Sequence, residues 1–301
     1  MVKKRSEINP DKLLCVRLKD DSRHKSLVNG FSSKRNDGLA TYLKQNAWFQ
    51  DQNNYRAYYL IRDGEKIVLY FSLQCGLLIK SHRKLLSGIS HEENGGKVEY
   101  YIDSDKINVT TVIPSIELAH LCVNDSYRSK KHPWSIKHGL SEYRVGTYVF
   151  YKYIAPKILE IAAIAGIQYV YLFCADDGSE NLIKYYKDVL HFDIMDDMAC
   201  IRPDYDGSLE CMTLKISDLE QDFHLFLDEP KFPSVLEFLN SNKTVSIQQA
   251  KKHLNILEPQ LLFQKLIQNK LVEQDGNSDT GIVYRIKRTN SNSTIISPTK
   301  F

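Results

Sequence analysis

At 301 residues, with 43% apolar and 26% charged residues, the chain is long enough for two domains and is too apolar to be disordered. Its 40 Lys/Arg against 37 Asp/Glu leave a net charge of +3, which excludes a polycation that binds nucleic acid by charge alone. No apolar run approaches the roughly 18 residues needed to span a bilayer, the start MVKKRSEINPDK lacks the apolar stretch of a secretory signal, and the cysteines show neither C-x-x-C nor metal-ligand spacing. These features predict a cytoplasmic protein with reduced thiols, no metal and no membrane contact.

In chain order, KLLCVRL (Lys12–Leu18) reads as a first strand and LATYLKQNAWF (Leu39–Phe49) as a helix. Two apolar strands, NYRAYYLIRD and KIVLYFSLQCGLLI, flank Asp63-Gly64, a pair that signals a hairpin whose two turn positions want φ > 0. Residues 81–112 read as a polar excursion with the turn-rich centre HEENGG. A helix following Gly146 keeps Ile154, Ile158, Ile161 and Ala162 on one face, with Pro156 inside it predicting a kink or break. Tyr169–Ala175 is apolar and β-rich throughout, as suits a strand covered on both faces, and Met212–Ile216 reads as a last strand.

After the Pro-punctuated DEPKFP, the pattern changes. Ser234–Asn240 predicts a short helix, Ser246 with Gln249 a capping box opening a second, and Pro259 the first turn of a third. LVEQ, a turn at Asp275-Gly276-Asn277 and GIVYRIKR predict a two-stranded wing. That order resembles a winged helix-turn-helix domain. Residues 233–301 carry nine Lys/Arg against five Asp/Glu, net +4, leaving −1 for residues 1–232.

The central block runs IPSIELAHLCVN, YRVGTYVFYKYIAPKILEIAAIAG, IQYVYLFCADD and NLIKYYKDVLHF: strand, turn into helix, buried strand, helix with a Tyr-Tyr pair. This layout resembles the GNAT superfamily of N-acetyltransferases. The resemblance implies an α/β fold with a mixed sheet over residues 1–218; the change of pattern after it predicts a linker at 219–232, the winged-helix-like domain at 233–289 and a tail at 290–301. It implies acetyl-CoA as cofactor and direct attack of an amine on the thioester.

Residue by residue, the resemblance implies that the strand Ile116–Asn124 splays from its parallel neighbour and offers backbone groups at Leu121, Cys122 and Val123 to pantetheine. Arg144, Val145, Gly146, Thr147 and Tyr148 fall on the pyrophosphate turn, where backbone N–H groups at a helix start make an anion site. Only the final glycine of the family's pattern is matched, by Gly146; Arg144 stands at the earlier glycine position, and the leading Arg or Gln has no counterpart. Tyr186 matches the residue that protonates the leaving thiolate, with Tyr185 as its packing neighbour; His191 stands where the family has Gly. Asn181 reads as an N-cap whose amide also reaches toward pantetheine. Glu117 falls where some members hold a base, with water as the alternative. Strand alternation would send His120 to the face opposite Glu117.

LATYLKQNAWFQDQNNYRAYYLI, LYFSLQCGLLI and IELAHLCVNDSYR resemble the toxin-type branch, which acetylates aminoacyl-tRNA. The acceptor amine therefore stays open among a small molecule, a protein and aminoacyl-tRNA. Two basic clusters (Lys80, His82, Arg83, Lys84; Arg128, Lys130, Lys131) read as solvated loops or as a patch. For residues 233–289, DNA contact through Gln260, Gln264, Lys265, Gln268 and Asn269 stands beside a protein-docking role, and a homodimer stays open. The rival reading is a regulator whose GNAT-like domain has lost catalysis and which binds DNA or a protein through the winged helix.

Overall fold

A computed structural model describes residues 7–35, 37–85, 97–103, 106–128, 134–175, 179–195, 198–200, 209–242, 244–278 and 281–287. The expected HEENGG turn (91–96), Lys130, Lys131 and the 290–301 tail lie outside the described residues, as do the side chains of His82, Arg83 and Lys84. The chain divides into two compact units: residues 1–137 with 142–223, and residues 138–141 with 224–301.

In the first unit, β1 (Leu13–Arg17) leads into α1 (Ser22–Leu27), α2 (Asp37–Gln45) and α3 (Ala47–Gln52). The single helix expected over Leu39–Phe49 is therefore two, separated at Asn46. The antiparallel strands β2 (Ala57–Asp63), β3 (Lys66–Leu85), β4 (Lys97–Asp103) and β5 (Lys106–Val123) follow. Asp63 pairs with Lys66, so the hairpin turns on Gly64-Glu65 rather than Asp63-Gly64, with Gly64 at φ +60° and Glu65 not in the left-handed region. Most of the stretch expected as a polar excursion is strand, since β3, β4 and β5 extend through it. The β-branched residues Ile107, Val109, Thr110, Thr111 and Val112 favour that outcome over a loop.

The short β6 (Ser135–His138) and β7 (Ser141–Arg144) precede α4 (Val145–Val149) and α5 (Ala155–Ala165). A π turn, Phe150–Ile154, joins the two helices, and Ala155 N–H donates to Phe150 O. That wider turn sits immediately before Pro156, which has no N–H to give, so the irregularity expected there as a kink or break takes the form of a π turn. Next come β8 (Tyr169–Cys174), α6 (Asn181–Leu190), β9 (Asp193–Ile194), β10 (Ala199–Cys200) and β11 (Glu210–Lys215); α7 (Ile216–Asp228) begins in this unit and ends in the second. The sheet order is β1-β2-β3-β5-β8-β11-β9, with β10 on β3 and β4 on β5. Only β5 and β8 run parallel among its described registers.

One face of the sheet packs Tyr58, Leu60, Tyr70 and Cys122 against Leu18, Val28, Phe31, Ala40, Leu43 and Ala47 from the α1–α3 region. The opposite face meets the helices after β7. Lys157 lies over the Tyr59 ring at 4.6 Å, and Tyr153 Oη donates to Leu13 O at 2.8 Å. The unit is thus a mixed α/β fold with helices on both faces of one sheet.

In the second unit, α8 (Phe232–Asn242), β12 (Val245–Ser246), α9 (Ile247–Leu254), α10 (Pro259–Gln268), β13 (Val272–Ser278) and β14 (Gly281–Ile286) enclose a core. Phe232, Val235, Leu239, Phe263 and Tyr284 belong to that core. Ser246 and Gln249 form the capping box of α9. The strands order β12-β14-β13. The turn expected at Asp275-Gly276-Asn277 is instead a register shift within β13, with Gly276 at φ +125°.

Asp51, fully buried, accepts from Arg17 Nε and from Lys19 N, each at 3.0 Å, and so ties α3 to the chain after β1. Removing it strands a partly buried guanidinium and a backbone donor. Asp51→Ala is expected to cost about 2–3 kcal/mol in urea unfolding, with an unchanged m-value.

Candidate functional site

The site grows from one irregularity. In β5, Leu118 pairs with Leu73 and His120 with Ser72, so Ala119 is an extra residue opposite no partner. Such a bulge bends its strand and sharpens the local twist. On its other edge β5 pairs with β8 only at Ser115–Glu117, opposite Tyr169–Tyr171. Beyond the bulge, Leu121, Cys122 and Val123 keep their register with β3 and have none with β8. The two parallel strands part there, leaving backbone groups on that edge of β5 available to an extended ligand.

The start of α4 closes the open end. Arg144 is its N-cap, with no side-chain cap bond, and Gly146 lies within the helix rather than before it. The first N–H groups of this helix have no intrahelical acceptors. A methyl at Gly146 would stand 3.2 Å from Tyr185 Oη and 3.6 Å from Val123 Cγ2, so the helix start, β5 and α6 meet closely there and an added side chain would ask the Tyr185 ring to shift slightly. Thr147 Oγ1 and Tyr185 Oη share a hydrogen bond of 3.2 Å.

Burial raises the Tyr185 hydroxyl above the ordinary tyrosine range, while Thr147, Arg144 and Arg128 oppose that rise. Two guanidinium groups therefore act at the same place as the helix terminus. Burial also pushes the Tyr186 hydroxyl up, and Tyr185, Cys174 and Cys122 push it further. Tyr186 thus stays protonated within electrostatic reach of thiols on both diverging strands. Its ring packs on Phe192 and Tyr185, with centroids 6.0 and 5.6 Å away. His191 ends α6 at φ +58°, the left-handed conformation that a glycine would take most easily, and its Nδ1 bonds Asp222 Oδ2 at 2.7 Å.

A partly buried polar chain lies on the face that carries α2 and α3. Arg56 Nε donates to Gln74 Oε1 at 2.8 Å, and Gln74 Nε2 donates to Glu117 Oε2 at 2.5 Å. Tyr171 Oη donates to the same Glu117 oxygen at 3.2 Å. Glu117 is only 7% exposed, so these donors replace the water it has lost. A Cβ at Gly76 would stand 2.4 Å from Tyr171 Oη, so glycine makes room for that ring.

His120 shares this face rather than the opposite one. Its Nδ1 bonds Ser72 Oγ at 2.6 Å, and Ser72 and Gln74 alternate onto one side of β3. The bulge at Ala119 reverses the expected alternation. The rings of Tyr42, Tyr58 and Tyr70 lie 5.0, 5.6 and 6.1 Å from the imidazole. Burial, with the Arg56 charge adding to it, lowers the His120 pKa to about 3, so the ring is neutral.

The structure brings Val123, Gly146, Thr147 and Tyr185 into one cluster, with Arg144 acting on it electrostatically. Val145 is buried in the first turn of α4. Tyr148 belongs elsewhere: its hydroxyl, pushed up to about 12 chiefly by burial, feels Tyr153 and Asp11 near β1. Asn181 is not the N-cap. Glu180 caps α6, and Asn181 Nδ2 donates to Ser179 Oγ at 2.8 Å. Sequence reasoning missed Arg128, Gln74, Tyr171 and Gly76 as parts of this arrangement. The alternation of Ser72 and Gln74 within an apolar strand was the available signal.

Among the described residues no cluster of His, Cys, Asp or Glu is built to hold a metal, and no helix is long and apolar enough to cross a membrane. No protein-family model and no curated protein matches the chain. Solved structures similar to it include the following three. The AtaTR complex bound with acetyl-CoA is 14% identical over 71% of this chain and 99% of its own, with a TM-score of 0.46. A mutant of the AtaT toxin is 13% identical over 74% of this chain and 98% of its own, with a TM-score of 0.45. The KacTA–DNA complex is 13% identical over 70% of this chain and 98% of its own, with a TM-score of 0.41.

His120 makes stability pH-dependent. Its pKa falls from 6.5 to about 3 on folding, so the unfolded chain binds the extra proton between those values. Folding stability is then complete above pH 6.5 and declines toward pH 3, by at most about 1.4 kcal/mol per pH unit. Urea unfolding across that range should show a shallower acid limb for His120→Gln than for the parent chain.

Proposed function

We propose that the first unit is an acetyl-CoA-dependent N-acetyltransferase of the GNAT type, with residues 1–218 as its working part. The observation that carries this reading is the parting of β5 from β8 after Ala119, with a helix N-terminus and two tyrosines at the open end. The residues fit the cofactor. Leu121, Cys122 and Val123 would meet the pantetheine amides. The N–H groups at Val145 and Gly146, with Arg144 and Arg128, would meet the pyrophosphate, and Gly146 keeps the cradle open where a Cβ would crowd it. Arg144 at the expected glycine position then contributes charge, its backbone serving as N-cap. Acetyl-CoA supplies an activated acetyl thioester to this site when bound.

The remaining chemistry belongs to the chain. Glu117 Oε2, held by Gln74 and Tyr171, takes a proton from the acceptor's ammonium group. Tyr186 Oη, kept protonated by burial, delivers one to the departing sulfur. Tyr185 holds the helix start through Thr147. Neither Asn181 nor Tyr148 has a part in this scheme.

For the second unit, we infer a winged-helix module that docks on protein rather than DNA. Its helices and three-stranded sheet follow that order, and Gln260, Gln264 and Gln268 are exposed on α10. Two of the cations there are engaged, Arg285 with Glu273 and Asp275, and Lys265 with Glu229, while Lys287 just after β14 is exposed. Pairing of these two cations weakens the counterion-releasing contacts on which DNA affinity depends.

Tyr186→Phe tests the catalytic reading. With acetyl-CoA and a panel of small amines, a peptide and an aminoacyl-tRNA, turnover should fall about 100-fold or more while cofactor affinity stays within a factor of about two. Undiminished turnover would remove Tyr186 from the mechanism.

A further inference from the structure

Neither Cys200 nor Cys211 is in a disulfide, and their sulfurs lie 3.2 Å apart. They come from strands that are not neighbours. Cys200 in β10 pairs with Leu78 of β3, whereas Cys211 in β11 pairs with Phe173 of β8. In sheet order β5 and β8 separate β3 from β11, so the thiol contact spans the face above them. Leu78, Ile113, Tyr171 and Cys211 form a buried cluster there, with Cys200, Met195 and Met198 packed against it. Tyr171 is the residue that donates to Glu117.

A disulfide needs its sulfurs about 2.05 Å apart, so closure asks for a movement of roughly 1.2 Å. Apolar residues of the same size would fill the cluster as well, without bringing reactive sulfur to both ends.

We propose that Cys200 and Cys211 form a modification site, a thiol pair that a low-molecular-weight disulfide oxidises to an intramolecular disulfide. The crosslink tethers β10 to β11 beside the Tyr171–Glu117 contact. Cys200 is half-buried and Cys211 buried, which sets the order of events. The Cys200 thiolate attacks the small disulfide, forming a mixed disulfide and releasing one small thiolate. The Cys211 thiolate then attacks Cys200 Sγ and expels the second small thiolate. Two cysteine protons end on the two released thiols, and the small disulfide is reduced by two electrons. This site stands apart from the acetyl-transfer reading, since it needs neither cofactor nor acceptor.

The test uses the purified full chain incubated with oxidised glutathione. Remaining thiols are trapped with N-ethylmaleimide under denaturing conditions and mapped by peptide mass spectrometry. The expected product is a Cys200–Cys211 linked peptide, lighter by two hydrogens and reversed by dithiothreitol, carrying neither glutathione nor maleimide. Cys211→Ser should stop at glutathione on Cys200, and Cys200→Ser should yield no linked peptide. A parent chain in which Cys200 keeps glutathione while Cys211 is alkylated would overturn the proposal. So would one in which both sulfurs are alkylated while exposed Cys75 is glutathionylated. Both outcomes are read on the parent chain, so the proposal does not depend on either variant folding.

Discussion

One unpaired residue, Ala119, organises the first unit. A regular β5 would continue alongside β8, and Glu117 and His120 would face opposite sides of the sheet. The bulge undoes both expectations at once. It lets Leu121–Val123 leave β8 while holding their register with β3, and it turns His120 onto the side of Glu117. The opening between the parallel strands and the polar chain beside it therefore have a common origin. A bulge is a local cost in ladder hydrogen bonds, and here it borders the residues proposed to do chemistry.

The two sides of β5 then differ in charge. Toward α4 stand a helix N-terminus, Arg144 and Arg128, an environment suited to phosphate oxygens. Toward α2 and α3 stands Glu117, braced by Gln74 and Tyr171 and suited to an ammonium group. An enzyme that joins a polyanionic acyl donor to an amine needs such a separation, because each charge would otherwise attract the wrong partner. The neutral His120, enclosed by tyrosine rings, adds no competing charge between them.

Much of the fold was legible because its signals are local. The apolar strands, the capping box at Ser246 and the helix with its Tyr-Tyr pair depend on periodicity and short-range capping. What escaped depends on register. Nothing in IELAHLCV marks Ala119 as the extra residue, and counting by alternation placed His120 on the wrong face. The hairpin slipped by one residue for the same reason, since the partner strand decides which pair occupies the turn. Asn181 has the residue type of an N-cap, yet Glu180 takes the position. Pro156 marked the place of an irregularity, but not that it would be a π turn. Gln74 and Tyr171 belong to separate strands, and only the folded sheet brings them to one carboxylate oxygen.

The parted strands and the charged helix start should together hold acetyl-CoA. Isothermal titration calorimetry of the full chain, with desulfo-CoA in parallel, tests that most directly. Micromolar binding of acetyl-CoA is the expected result, with desulfo-CoA binding almost as tightly because the pyrophosphate and pantetheine contacts are shared. No heat of binding up to millimolar acetyl-CoA would contradict it, leaving β5 and β8 as an opening without that ligand.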